Sequence, residues 1–311
     1  MRERPLTDIA ASVHQRLLNK ARETGRPFNE LLQYFAMERF LYRLAESRHG
    51  RKFILKGALM LTAWHAPASR PTMDIDLLGQ TDNSVEAIAS MMRDACTQPV
   101  APDGLAFDAD SIQGQRIVED ADYGGVRIRF TGAMGKARLF MQIDTGFGDV
   151  VMPTPEPVEY PTLLEFPPPE LLGYSRESTI AEKLEAMVKL GLLNSRMKDY
   201  YDIWLLSRQF EFSGERLCQA ISATFSRRKT PLPSGVPAAL SEEFAADRDK
   251  RTQWRAFVRR SRLEPGAELD DVVAALREFL MSPTSAIVAG RSFTMIWPSV
   301  GGWVPSQDPE P

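Results

Sequence analysis

Apolar residues recur at helical spacing through the first fifty positions. A helix is expected from about Thr7 to Arg22, broken at Gly25-Arg26-Pro27. A second runs from Asn29 to Glu46, with Leu31, Leu32, Phe35, Phe40, Leu41 and Leu44 on its buried side. After His49-Gly50 the period shortens. Phe53-Ile54-Leu55 reads as a buried strand, Gly57 to Trp64 as a helix, and Met73–Leu78 as a second strand. Ser84 is placed to cap a helix to Cys96. Short strands follow at 105–109, 112–118, 126–130 and 138–144. In Val126-Arg127-Ile128-Arg129-Phe130 the alternation sends the basic side chains to solvent. Seven prolines between Pro153 and Pro169 (153, 155, 157, 161, 167, 168 and 169) predict an ordered connector without regular elements. Helices are expected again at 178–193, 198–207, 215–224, 253–260 and 270–281. A Pro- and Gly-rich tail then carries Trp297 and Trp303, whose indoles are expected to dock on the body.

The expected organisation is therefore a helical segment at 1–50, a mixed-sheet core at 51–152, a proline-rich connector at 153–169, a helical domain at 170–283 and a Trp-containing tail at 284–311. The fold class is α+β. Hydrophobic content of 43% and charged content of 25% exclude a mostly disordered chain. No stretch approaches the ~20 apolar residues of a membrane helix, and Met1-Arg2-Glu3-Arg4-Pro5 lacks a signal peptide's apolar core, so a cytoplasmic protein is expected. Two cysteines and three histidines offer neither a disulfide framework nor zinc-finger spacing.

The net charge of −3 conceals an uneven distribution. Residues 1–52 carry +5 and residues 225–262 carry +6, leaving −14 for the rest. Basic ends around an acidic middle fit a polyanionic partner, but on charge alone helices with solvated arginine faces are the preferred reading.

Asp74-Ile75-Asp76 is the most informative tripeptide. On a strand, side chains two apart share a face, so both carboxylates project together. A pair of that kind suits Mg²⁺, which takes one or two carboxylates plus substrate phosphates, and two such ions can clamp a phosphoryl displacement. The plainer reading is a solvated turn. Lys56-Gly57-Ala58 lies 18 residues upstream of Asp74 at a strand-to-helix junction, where free N–H groups can meet phosphate. Arg70 and Thr72 stand between the two motifs. Asp144, ending a strand whose other face holds Leu139, Met141 and Ile143, is a candidate third metal ligand or proton acceptor, or else a cap on the turn at Thr145-Gly146. Thr179 and Glu182 have capping-box spacing. From there Ile180, Lys183, Leu184 and Met187 share a stripe, with Glu182, Glu185 and Lys189 towards the other side. A lysine on an apolar stripe needs an anion: a triphosphate, or Asp199 or Asp202 in the next helix.

Taken together, Lys56-Gly57-Ala58, Arg70-x-Thr72-x-Asp74-Ile75-Asp76-Leu77, Ala181-Glu182-Lys183-Leu184 and Arg196-x-Lys198-Asp199-x-x-Asp202 resemble the AbiEii nucleotidyltransferase toxins, within the polymerase-beta-like superfold. The resemblance runs from about residue 50 to 208. It implies a nucleotidyltransferase toxin that moves NMP from an NTP to RNA, with the tRNA 3′ end as acceptor and translation blocked, and it implies a cognate antitoxin. It also implies Mg²⁺, one ion or two, held by Asp74, Asp76 and Asp144. The NTP would be met by Lys56, Gly57, Ala58, Thr72, Lys183 and Asp202. Ala58 stands where the family usually has a second Gly and related transferases a Ser, so a backbone N–H remains but a phosphate-binding hydroxyl does not. The alternatives are a transferase for a small molecule or protein, and an inactive RNA- or partner-binding protein of the same fold. The basic runs Arg227-Arg228-Lys229, Lys250-Arg251 and Arg255 to Arg262 are candidates for RNA. Trp254 and Phe257 could stack on bases, although helical spacing fits the core better.

Overall fold

The computed structural model describes residues 6–66, 70–120, 123–263, 266–299 and 301–306. They fall into two compact units. The first spans 1–65, 71–148 and 156–173; the second spans 66–70, 149–155 and 174–311.

In the first unit α1 (Leu6–Thr24) and α2 (Phe28–Glu46) precede β1 (Phe53–Lys56), α3 (Ala58–Ala63), β2 (Ile75–Gly79) and α4 (Val85–Thr97). Then come β3 (Ala106–Asp120), β4 (Tyr123–Met134), β5 (Ala137–Phe147), β6 (Glu156–Glu159) and β7 (Glu170–Gly173). The strands form a mixed seven-stranded sheet in the order β3-β4-β5-β2-β1-β7-β6, with β5–β2 and β1–β7 parallel and the other pairs antiparallel. One face is closed by α2: Phe40 packs on Phe107 and Phe130, so Val126, Ile128 and Phe130 all point inward. Strand alternation then obliges Arg127 and Arg129 to face the other way. Ser84 caps α4 as expected, accepting the Ala87 N–H at 3.2 Å.

Part of the N-terminal positive charge is internal. Arg43 grips Asp103 with two hydrogen bonds of 2.7 and 2.9 Å, and Arg39 donates twice to the Pro167 carbonyl. Both are buried, as is Glu38, whose Oε2 accepts the Leu163 N–H at 2.7 Å. Burial pushes the Glu38 carboxyl up to about 7 against the pull of that N–H and of Arg39. Arg39 and Arg43 therefore hold the fold together and are not available to RNA.

Two expectations are corrected here. The separate strands at 105–109 and 112–118 are one strand, β3, with a register shift between Asp108 and Gln113. Asp108 Oδ1 accepts the N–H groups of Asp110 and Ser111, so a local turn is absorbed as a bulge. The proline-rich stretch, expected to lack regular structure, contains β6. That strand is the sheet's edge, where Pro157 forfeits no ladder hydrogen bond that the sheet needs.

The second unit comprises α5 (Arg176–Leu190), α6 (Met197–Gln209), β8 (Phe212–Ser213), α7 (Gly214–Arg228), α8 (Glu242–Ala246), α9 (Arg248–Ser261), α10 (Leu269–Val288), β9 (Met295–Trp297) and β10 (Val304–Pro305). The last two strands and β8 make a small antiparallel sheet. The tail indoles do dock on this unit. Trp297 donates to the Ser207 carbonyl at 2.7 Å, and Trp303 stacks on Phe279 at 5.7 Å while donating to its carbonyl. Helix α5 begins three residues before Thr179, because Ser175 caps it by accepting the Ser178 N–H. Glu185, expected towards the solvent side, is fully buried and held by Arg228 and Thr230. Among the described residues no helix is long and apolar enough to cross a membrane.

Candidate active site

The sheet aligns four charged residues in one row. In register, Arg127 of β4 lies opposite Asp144 of β5, Asp144 opposite Asp76 of β2, and Asp76 opposite Lys56 of β1. Residues paired in register share a face, and neighbouring strands are ~4.8 Å apart. The row therefore reads positive, negative, negative, positive across four strands, on the face opposite α2. Apolar neighbours hold it in place: Leu55, Ile75, Leu77, Ile143, Val126 and Ile128 are buried.

Asp144 is itself buried and meets Arg127 in a two-pronged pair, Nε to Oδ1 at 2.8 Å and Nη2 to Oδ2 at 2.7 Å. Gln142 Nε2 approaches Oδ2 at 3.4 Å. Asp144 thus does not cap the following turn. Sequence reading singled out the carboxylate but missed its guanidinium partner.

Gly57 has a purpose the sequence did not disclose. Its φ of +72° and ψ of −153° place it in a region open essentially to glycine alone. A Cβ there would stand 2.0 Å from Asp76 Oδ2 and 2.8 Å from Asp76 Cβ. The glycine makes room for the Asp76 carboxylate. Ala58, the departure from the family's pattern, is buried as the first residue of α3.

Asp74 sits in the bend just before β2, not within the strand. Thr72, expected to meet substrate, shapes that bend: its hydroxyl lies 3.3 Å from the Asp74 carbonyl and 3.4 Å from the Asp74 nitrogen, and its own N–H donates to the Tyr34 hydroxyl at 3.0 Å. Among the described residues no three His, Cys, Asp or Glu side chains converge as a ready-made metal site. The structure brings Asp76 and Asp144 together by register, and does not gather Asp74, Asp76 and Asp144 into a three-carboxylate cluster.

In the second unit Lys183 lies between Asp199 and Asp202, at 2.7 and 2.8 Å. Arg70 grips Asp202 with two hydrogen bonds of 2.9 and 3.1 Å. Arg196 Nε is 2.7 Å from Asp199 Oδ2 but off line for a hydrogen bond, so that contact is purely charge on charge. Burial pushes the Asp202 carboxyl up, yet Arg70 and Lys183 outweigh it and hold it at about 2. Burial likewise opposes charge on Lys183, and its two aspartates overcome it and raise the ammonium above its ordinary range. Asp202 accepts hydrogen bonds from both Lys183 and Arg70 and so orients the two cations.

Residues 39–278 match the family described as "Nucleotidyl transferase AbiEii toxin, Type IV TA system". The chain belongs to that family. The AbiEii chain described here is therefore a nucleotidyltransferase, and its family is that of the toxin component in toxin–antitoxin pairs, which makes a nucleotide its substrate and an antitoxin its partner. No curated protein matches it. It is similar to two crystal structures from Helicobacter pylori. One is JHP933, at 14% identity over 84% of this chain and 90% of that one, with a TM-score of 0.46. The other is described as a candidate nucleotidyltransferase, at 14% identity over 85% and 99%, with the same TM-score.

Proposed function

We propose that this AbiEii protein transfers NMP from an NTP to the 3′ hydroxyl of an RNA, with the tRNA 3′ end as the preferred acceptor, and so blocks translation in the cytoplasm. The supporting observation is the in-register pairing of Asp76 with Asp144 beside Gly57, whose missing Cβ leaves the space that the Asp76 carboxylate fills. Two hard carboxylates on adjacent strands suit Mg²⁺, which keeps waters and substrate oxygens in its remaining positions. Bound there, Mg²⁺ would supply charge neutralisation at the reacting phosphate. Asp76 and Asp144 would hold the ion, with Asp74 beside them at the mouth of β2. The acceptor oxygen forms a bond to the α-phosphorus as the bond to the β-bridging oxygen breaks; pyrophosphate leaves, and a carboxylate of this set takes the acceptor's proton. Lys56, Gly57 and Ala58 are proposed to meet the triphosphate through charge and backbone N–H groups. Lys183 is proposed as a further contact for the NTP's phosphates.

Incubation of the full chain with each labelled NTP, Mg²⁺ and total tRNA tests the reading. Label should move to the 3′ end and vanish in Asp76→Asn and on chelation. Label moving only to small molecules or proteins would replace the RNA acceptor. Label persisting in Asp76→Asn would overturn the site.

A further inference from the structure

Helix α9 carries Arg248, Arg251, Arg255 and Arg259 at spacings of three, four and four, so about 100° per residue puts them within a narrow arc. Arg262 follows just past its end. The helix is anchored by another side. Trp254 and Phe257 are buried and pack on Tyr201 at 6.5 and 5.9 Å, which leaves the arginine arc outward. Arg248, Arg255, Arg259, Arg260 and Arg262 are exposed. Two acids answer the arc: Glu268 meets Arg255 at 3.0 Å and Asp270 meets Arg251 at 3.3 Å. All four of these side chains are two-fifths exposed or more, so the pairs are screened and open easily. Arg248, Arg259, Arg260 and Arg262 make no ion pair among the described residues.

One guanidinium per turn, about 5.4 Å apart along the axis, matches a linear polyanion better than a compact anion. A membrane surface fits less well. Interfacial helices insert an apolar face, and the apolar face of α9 is spent on the core. We infer that the arginine arc of α9 docks the phosphate backbone of the RNA acceptor. This inference rests on the acceptor reading above and assigns it a surface. The bases themselves are not read here: Trp254 and Phe257 are buried and cannot stack on them.

The test compares the full chain with Arg255→Gln/Arg259→Gln, and with Lys136→Gln/Arg216→Gln, which removes equal charge from exposed positions elsewhere. Binding of labelled tRNA is followed by anisotropy across a salt series. Losing two phosphate contacts should lower the slope of log affinity against log salt by about 1.4–1.8. Affinity should fall roughly tenfold or more in the α9 variant only, and KM for tRNA should rise while kcat at saturation holds. Unchanged melting confirms that the variant is folded. Equal losses in both variants would reduce the effect to net charge and overturn the inference. So would a loss of binding to phosphatidylserine vesicles without a loss on tRNA. If the unmodified protein transfers label to tRNA and the α9 variant behaves identically, the surface is wrong and the acceptor stands. If the unmodified protein neither binds nor labels any RNA, both fall.

Discussion

Gly57→Ala isolates the reason for the glycine. The residue's φ of +72° and ψ of −153° cost an L-residue ~1–3 kcal/mol in backbone strain alone. The added methyl also meets Asp76 at 2.0 Å from Oδ2, 2.7 Å from Cγ and 2.8 Å from Cβ. The last of these is no flexible tip, so the whole residue must move, along with its place in the β1–β2–β5 row. A contact of that kind carries a coupling energy of ~0.5–3 kcal/mol. The total, ~1.5–6 kcal/mol, should lower the melting temperature by roughly 2–4 °C per kcal/mol.

A double-mutant cycle separates the two contributions. In an Asp76→Gly background the three nearest atoms are gone, and the cost of Asp76→Gly cancels between the arms. There Gly57→Ala should cost only the ~1–3 kcal/mol of strain. Urea unfolding of the four proteins gives the coupling directly. If Gly57→Ala costs the same with and without Asp76, the glycine is a turn residue and nothing more.

Three further outcomes follow from buried charges. Glu38 favours its protonated form in the folded state, so its contribution is present below the ordinary glutamate range and is lost as pH rises through about 7; Glu38→Gln should remove that loss, seen as a narrower stability gap between pH 5 and 8 in urea titrations. Lys183→Met strands Asp199 and Asp202 without their shared ammonium, and should cost ~3–5 kcal/mol by chemical denaturation, whereas Lys183→Arg should recover part of it. Arg127→Gln releases Asp144 from a two-pronged pair; with a charged hydrogen bond worth ~1.5–3 kcal/mol, calorimetry with Mn²⁺ should show at least tenfold tighter binding, and unchanged affinity would mean that the cation does not use Asp144.

Motif spacing reached the carboxylates, because a strand's two-residue period is a local property. What it could not reach were the partners. Arg127 becomes the partner of Asp144 only through the β4–β5 register, which the tight turn at Gly135-Lys136 sets. Met134 pairs with Ala137 across that turn, and counting outward seven residues on each side joins Arg127 to Asp144. A glycine first in a two-residue turn, here at φ +58°, was the available signal. The basic ends misled for a related reason. Arg39, Arg43 and Arg228 look like surface charge in a composition count, but Asp103, Asp149 and Glu185 draw them inward from distant parts of the chain. Strand β6 was hidden because proline content predicts poor ladders and does not say which strand will lie at an edge.

Like charges opposed across strands destabilise a sheet, so the Asp76–Asp144 pairing calls for a compensating force. Arg127 supplies one at the outer side of Asp144, and Lys56 stands in register on the far side of Asp76. A divalent cation between the carboxylates would relieve the same repulsion from within. On the proposed reading the resident guanidinium and an incoming cation would compete for the oxygens of Asp144. The four named charges of the row sum to zero; a bound divalent ion would add two positive charges and so favour a triphosphate there. Metal and nucleotide should accordingly bind more tightly together than either does alone.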